Sequence, residues 1–212
     1  MGPALVAWAH AHRGTPTEAD ALLDALGDAQ RRRWAGLNGT AASRFLTGRM
    51  LLAELIGELA PGHPITLSSR CDRCGGAHGR PRAVAAPVVL SVAYAGPLVV
   101  AAAARATEAA AIGVDVEAGD AAQRLPDLDR LFAPAPPPDL RGWTRIEAAL
   151  KADGRGVRVP PADVRFGPAS ALSLPGAVIA SVPGRAPAIE VATIPGPAEH
   201  VLSIAIAPPP RS

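Results

Sequence analysis

Lysine is almost missing from this chain. Of the 21 lysine and arginine residues among 212, a single one is lysine, Lys151. Arginine stays charged in any protein environment, whereas an ammonium can give up a proton when its surroundings favour it. Aromatic residues are also scarce, at 3% of the chain, and the basic residues are not interleaved with them. That argues against a module that stacks nucleic-acid bases. No apolar run approaches the roughly 18 to 20 residues a membrane span needs. The opening "MGPALVAWAHAHRG" lacks a basic n-region and a clear cleavage site, so it does not read as a signal peptide and the cytoplasm is the expected location. The net charge of +2 is mild, and no long basic tract suggests bulk nucleic-acid binding.

The patterns that are present predict an α+β fold. A helix is expected from about Glu18 to Trp34, after Pro16 and the candidate cap Thr17, and a longer one from about Thr40 to Leu59, with Leu52, Leu55, Ile56 and Leu59 on one face. "PVVLSVAY", "PLVVAAAARA" and "AAIGVDVE" then read as the strands of an antiparallel meander packed on helices. After the proline-rich "FAPAPPPDLRG", a helix from about Trp143 to Ala152 precedes strands near "DVRFG", "AVIASV", "AIEVATI" and "HVLSIAIA". "VVLSVAYAGPLVVAAAA" and "IEVATIPGPAEHVLSIAIA" share a rhythm of strand, Gly-Pro turn and strand. The expectation is therefore two pseudo-symmetric α/β halves, 1–107 and 108–212, each a small, mainly antiparallel sheet packed on a long helix, with a ligand site in the cleft between them.

Two short motifs carry candidate chemistry. In "IGVDVEAGD", Asp115 and Glu117 are two apart on a strand and share a face, with Val114 and Val116 pointing into the core. In "WTRIEAALK", Glu147 and Lys151 are four apart on a helix, in the favourable order for an ion pair. Either motif alone is more often structural. Together, the three carboxylates Asp115, Glu117 and Glu147 make a hard oxygen site suited to Mg²⁺. Beside them Lys151 adds a compact charge able to donate a proton. The cluster "RRRW", Arg31 to Arg33 with Trp34, is a candidate face for an anionic small molecule, against the alternative that it is a solvated helix end.

"IGVDVE", followed 26 positions after Glu117 by "WTRIEAALKADGRG", resembles the two signatures of the 4'-phosphopantetheinyl transferases of the surfactin-synthetase type. Upstream, "SRFLTGRMLLAELIG" is similar to that family's arginine-glycine-arginine helix, and "CDRCGGAHGRPR" to its Gly-(Lys/Arg)-Pro segment, which places Arg80 at an expected coenzyme A contact. "LSVAYAG" falls where the family has a Ser-x-Ser-His-Ser strand, placing Tyr94 among the coenzyme-binding candidates. The resemblance implies a pseudo-dimeric monomer that moves the phosphopantetheine arm of coenzyme A to a serine of an acyl or peptidyl carrier protein. It implies Mg²⁺ on Asp115, Glu117 and Glu147, Glu147 and Lys151 as catalytic groups, and phosphate contacts from Arg80, Tyr94 and one or more of Arg31, Arg33, Arg44 and Arg49. Neither nucleic acid nor membrane is an expected partner.

Three departures from the family pattern stand against this. The lysine before the helix glutamate is Ile146, and the adjacent Arg145, about 100° away around a helix, is only a candidate substitute. The Ser-His pair is replaced by Ala93 and Tyr94. Only "APAPPPDLRG" stands where a longer helical segment helps to receive the carrier, and its prolines forbid a regular helix. These changes keep open an alternative in which the chain binds coenzyme A or a carrier-bound intermediate without transferring the arm.

Cys71 and Cys74 have the C-x-x-C spacing of a zinc knuckle, and His78 offers a third ligand. A closed site needs four, and no second C-x-x-C exists, so His63 or a carboxylate would have to complete it. The expectation is a plain loop with free thiols in preference to a structural zinc.

Overall fold

The protein's structure, a computed structural model, describes residues 4–12, 14–168 and 176–209. Five α-helices and three antiparallel sheets are found among them. Two compact units divide the chain, one spanning Ala4–Thr107 and the other running from Glu108 onward.

The first unit contains strand β1 (Ala4–His10), helices α1 (Pro16–Leu26), α2 (Asp28–Ala35) and α3 (Gly39–Leu59), and strands β2 (Leu67–Ser68), β3 (Arg82–Ala83), β4 (Val88–Ala95) and β5 (Leu98–Arg105). Its main sheet has the order β1-β5-β4, with β5 central and antiparallel to both neighbours, while β2 and β3 form a separate short ribbon. The alanines of β5 leave a shallow surface on which α3 lies. Leu52, Leu55, Ile56 and Leu59 of α3 are buried against Val99, Ala101 and Ala103. Each fully buried leucine or isoleucine contributes roughly 1.5–3 kcal/mol through apolar burial.

Several local expectations are corrected here. The helix expected from Glu18 to Trp34 is two helices, because Gly27 between them takes φ 97°, a conformation that ends α1 and starts α2. The cap is Thr15 in place of Thr17. Thr15 Oγ1 accepts from the Glu18 amide, the Glu18 carboxylate accepts from the Thr15 amide at 2.7 Å, and Pro16 fills the first turn, where its missing N–H costs nothing. The opening segment supplies an edge strand, β1, paired along its length with β5.

The second unit contains β6 (Ala111–Ala118), 3₁₀ turns over Gly119–Leu128, α4 (Asp129–Phe132), α5 (Leu140–Asp153), β7 (Arg165–Gly167), β8 (Val178–Ser181), β9 (Ile189–Ile194) and β10 (His200–Ala207). Its sheet order is β6-β10-β9-β8-β7, antiparallel throughout. The three-strand meander expected around "AAIGVDVE" is thereby corrected. β4 and β5 form one hairpin, and β6 takes β10 as its partner.

Helix α5 crosses β6, β10 and β9. Asp139 caps it, accepting from the Gly142 amide at 2.7 Å, and Gly154 ends it at φ 83°, the left-handed cap that glycine takes most easily. The proline-rich stretch carries the chain from α4 to α5 without helix, and the rings of Phe132 and Trp143 meet edge to face with centroids 6.3 Å apart. The helix face against the sheet is small: Ala148, Ala149 and Ala152 are fully buried. At Gly113 of β6 an added Cβ would sit 2.0 Å from the Ala148 carbonyl oxygen and 2.6 Å from the Ala152 amide nitrogen. Glycine at 113 therefore sets how closely α5 approaches β6.

Candidate active site

Because α5 lies on the face of β6 to which Gly113 belongs, the alternate residues Asp115 and Glu117 project toward the same helix. The carboxylate face of β6 is thus the helix-covered one. Val114 and Val116, on the opposite face, are buried as well. Lys151, in the last turn of α5, donates from Nζ to Asp115 Oδ1 at 2.7 Å and to the Val114 carbonyl at 3.0 Å. The expected pairing of Lys151 with Glu147 is corrected: the ion pair of the lysine is with Asp115, across the helix–strand interface.

Asp115 is 6% exposed. Its second oxygen, Oδ2, is buried with no hydrogen-bond partner. Burial pushes the carboxyl up to about 6; the Lys151 cation opposes the rise, and the charges of Glu147 and Glu117 add to it. Glu147 is also raised, first by burial, with Glu117 adding and Lys151 opposing. The three carboxylates therefore lie close enough to feel one another. They are not gathered into a closed cage: among the described residues, three ligand-type side chains with atoms mutually within 4.8 Å occur at Cys71, Cys74 and His78. The donor chemistry nevertheless fits a hard divalent cation, since oxygen ligands with one buried, unsatisfied carboxylate oxygen are what such a cation would complete.

Around this pair the sequence reading missed a row of hydroxyls. In register across the sheet, Asp115 of β6 stands opposite Ser203 of β10, which stands opposite Thr193 of β9. Ser203 Oγ lies 2.9 Å from Thr144 Oγ1 of α5 and 3.1 Å from Thr193 Oγ1, and Arg145 Nε donates to Thr193 Oγ1 at 3.0 Å. The signal was a serine in the middle of the apolar "HVLSIAIA" and a glycine beside the aspartate in "IGVDVE". Arg145 is thereby directed at β9, two strands from β6, and Ile146 is packed in the core at 4% exposure. Neither puts a cation beside Asp115.

The arginine candidates lie in the first unit. Arg49 is 2% exposed; its Nε donates to Gln30 Oε1 at 2.7 Å and its Nη2 to Ser69 Oγ at 3.3 Å, and its guanidinium stands 4.2 Å from the Phe45 ring centroid. Burial lowers it to about 10, partly offset by Tyr94. Arg49 therefore acts inside the unit, holding α2, α3 and the end of β2 together. Gln30, fully buried, donates to the Leu67 carbonyl at 3.0 Å and completes that tie. The Arg33 guanidinium lies 5.7 Å from the Phe45 ring centroid, and Arg33 donates to the Ala77 carbonyl at 2.7 Å. Arg31 is held by Asp20 at 2.9 Å and by Asp24. Arg44 is half-buried with its Nε unpartnered, Arg80 is exposed, and Tyr94 is 38% exposed. Ala93 is buried in β4.

The third cluster is the loop joining β2 to β3. Cys74 Sγ and His78 Nε2 are 3.0 Å apart, and Cys71 is the third member of the group. The Cys71 thiol is held below the ordinary thiol pKa, first by the backbone amides of Cys74 and Arg73, with burial opposing. His63 is not part of this group.

No family model matches the chain, and no curated protein matches it in sequence. Among the described residues, no helix is long and apolar enough to cross a membrane.

Proposed function

We propose that the protein is a phosphopantetheinyl transferase that moves the arm of coenzyme A onto a serine of an apo acyl or peptidyl carrier protein. The observation that carries this reading is the meeting of its two motifs. Lys151 of "WTRIEAALK" bonds Asp115 of "IGVDVE" at 2.7 Å, with Glu117 and Glu147 close enough to shift its titration and Oδ2 left without a partner.

In this reading Asp115, Glu117 and Glu147 would hold Mg²⁺, whose positive charge would offset that of the pyrophosphate. Glu147, raised by burial, takes the proton of the carrier serine as its Oγ bonds to the β-phosphorus of coenzyme A. The bond from that phosphorus to the bridging oxygen breaks, and 3',5'-adenosine bisphosphate departs with the electron pair. Lys151 stabilises or protonates the departing oxygen, a role that a guanidinium cannot perform as an acid. Phosphate contacts come from Arg80, Arg33 and Arg44 by bidentate guanidinium bonding, with Tyr94 offering one hydroxyl. Arg31 joins them only by leaving Asp20 and Asp24. Arg49 positions Gln30 and Ser69.

The test is incubation with coenzyme A, Mg²⁺ and a panel of apo carrier proteins, read by intact mass. A mass gain equal to the arm on the carrier serine is expected. No modification of any carrier, alongside a competent control enzyme, rejects the reading.

A second reading is favoured by Ile146, which is packed into the core where the resembling family has a lysine. A coenzyme or carrier binder that has given up transfer would keep its fold and lose that charge. Calorimetry separates the two. A pure binder takes up its carrier with or without Mg²⁺, and Glu147→Gln leaves that binding unchanged.

A further inference from the structure

We infer that the loop between β2 and β3 is a zinc site, in which Cys71 Sγ, Cys74 Sγ and His78 Nε2 hold the metal and solvent supplies the fourth ligand. The three ligand atoms lie mutually within 4.8 Å. Zn–S bonds of about 2.3 Å and Zn–N bonds of about 2.0–2.1 Å in a tetrahedron place ligand atoms roughly 3.5–3.8 Å apart, so small side-chain rotations suffice. Two thiolates and an imidazole are also the donor types that suit zinc.

The backbone is built to bring these side chains together. The Gly75 amide donates to the Cys71 carbonyl at 2.9 Å, the Cys71 amide to the Gly76 carbonyl at 2.7 Å, and Gly75 takes φ 72°. That turn returns Cys74 toward Cys71, within the 4.8 Å that the three ligand atoms span. At Gly79 the two legs of the loop press together. Its amide donates to the Ser69 carbonyl at 2.7 Å, and a Cβ there would stand 2.5 Å from the Arg70 carbonyl oxygen. His78, one residue earlier, is thereby turned back to the cysteines.

Nothing apolar holds this loop in place. From Arg70 to Arg80 no residue is buried. Ordering eleven residues costs roughly 1–2 kcal/mol each in backbone entropy, and a hydrophobic interior is not there to offset it. A metal bound by the two cysteines and the histidine would offset it directly, since in small modules metal binding is folding free energy. Arg70, Arg73 and Arg82 line the groove with Cys71, Cys74 and Asp72, and Asp72 pairs with Arg82. Two thiolates neutralise the divalent ion. Cys74 and His78 are exposed, so the fourth position faces solvent and the metal is open to chelators.

The experiment uses the full chain, expressed in zinc-replete medium and purified without chelator or nickel resin. Elemental analysis should find about one zinc per chain, lost on prolonged dialysis against EDTA. Titration of the EDTA-treated protein with Co²⁺ alone should give thiolate-to-metal charge-transfer and tetrahedral d–d bands, which Zn²⁺ then abolishes. Cys71→Ser with Cys74→Ser should lose both the zinc and the bands. His63→Ala should keep both. Zinc far below stoichiometric, no Co²⁺ bands and two freely titrating thiols would overturn the proposal, as would unchanged zinc in the double serine variant. The Co²⁺ titration of the unsubstituted chain decides the matter even where the variants fold poorly.

Discussion

The ammonium of Lys151 bridges the Asp115 carboxylate at 2.7 Å and the Val114 carbonyl at 3.0 Å, which ties the end of α5 to β6. The glutamate one turn earlier on the same helix is left to act on the pair through space. A single-point cation suits this geometry, in which one ammonium meets both oxygens.

Lys151→Arg should therefore keep the fold, since the side chain is partly exposed, and lower carrier modification by about 100-fold or more through loss of a proton donor and altered geometry. Intact-mass kinetics measures this. Full activity in the variant would show the lysine to be dispensable. Lys151→Ala should move the Asp115 titration upward, because the opposing cation is gone, and a carboxyl-carbon NMR titration reads the shift.

Stability should depend on pH through Asp115. Burial holds its carboxyl up at about 6 in the folded protein, against the ordinary 3.8, so between those values the folded state binds more protons than the unfolded one. Stability then falls as pH rises from about 4 to 6 and levels off above, by an amount of the order of 3 kcal/mol. Denaturant melts across that range should show the slope in Mg²⁺-free protein, and Asp115→Asn should flatten it. Added Mg²⁺ should raise the melting temperature of the parent above pH 6 and leave that of Asp115→Asn nearly unchanged.

Glu147→Gln should preserve folding and reduce transfer by about 100- to 10,000-fold. Because burial raises the carboxyl of Glu147, the rising limb of the pH–rate profile should lie above the ordinary carboxylate range. Loss of that limb in the variant, with coenzyme binding retained, identifies Glu147 as the base; an unchanged limb assigns it elsewhere.

Gly113→Ala should cost about 3 kcal/mol or more, since the added methyl meets helix backbone, which has no rotamer by which to yield. Chemical denaturation measures the loss. A change below about 0.5 kcal/mol would show that α5 can move off the strand without penalty.

Much of this was legible in the sequence. The leucine stripe of α3, the hairpin rhythm of β4–β5 and β9–β10 and the alternate placement of Asp115 and Glu117 follow from periodicity alone. Other features were hidden because they depend on distant partners. Whether Asp115 faces solvent or a helix is decided by where α5 packs, and the partner of Lys151 by how close it packs. The break at Gly27 turned on one backbone angle that a run of helix formers concealed. Most of the β1 segment could equally have been a terminus, until β5 supplied seven partners for it. Among the cysteines, spacing named Cys71, Cys74 and His78 as candidates but could not show that His78 folds back onto them.

Glycine is the smallest residue, so every replacement at 113 adds volume and none removes it. The clearance between helix and strand is therefore a tolerance bounded on one side only: it can be widened by mutation but never tightened. Any such widening would reach the lysine–aspartate contact as a change in length, before a single charged group had been altered.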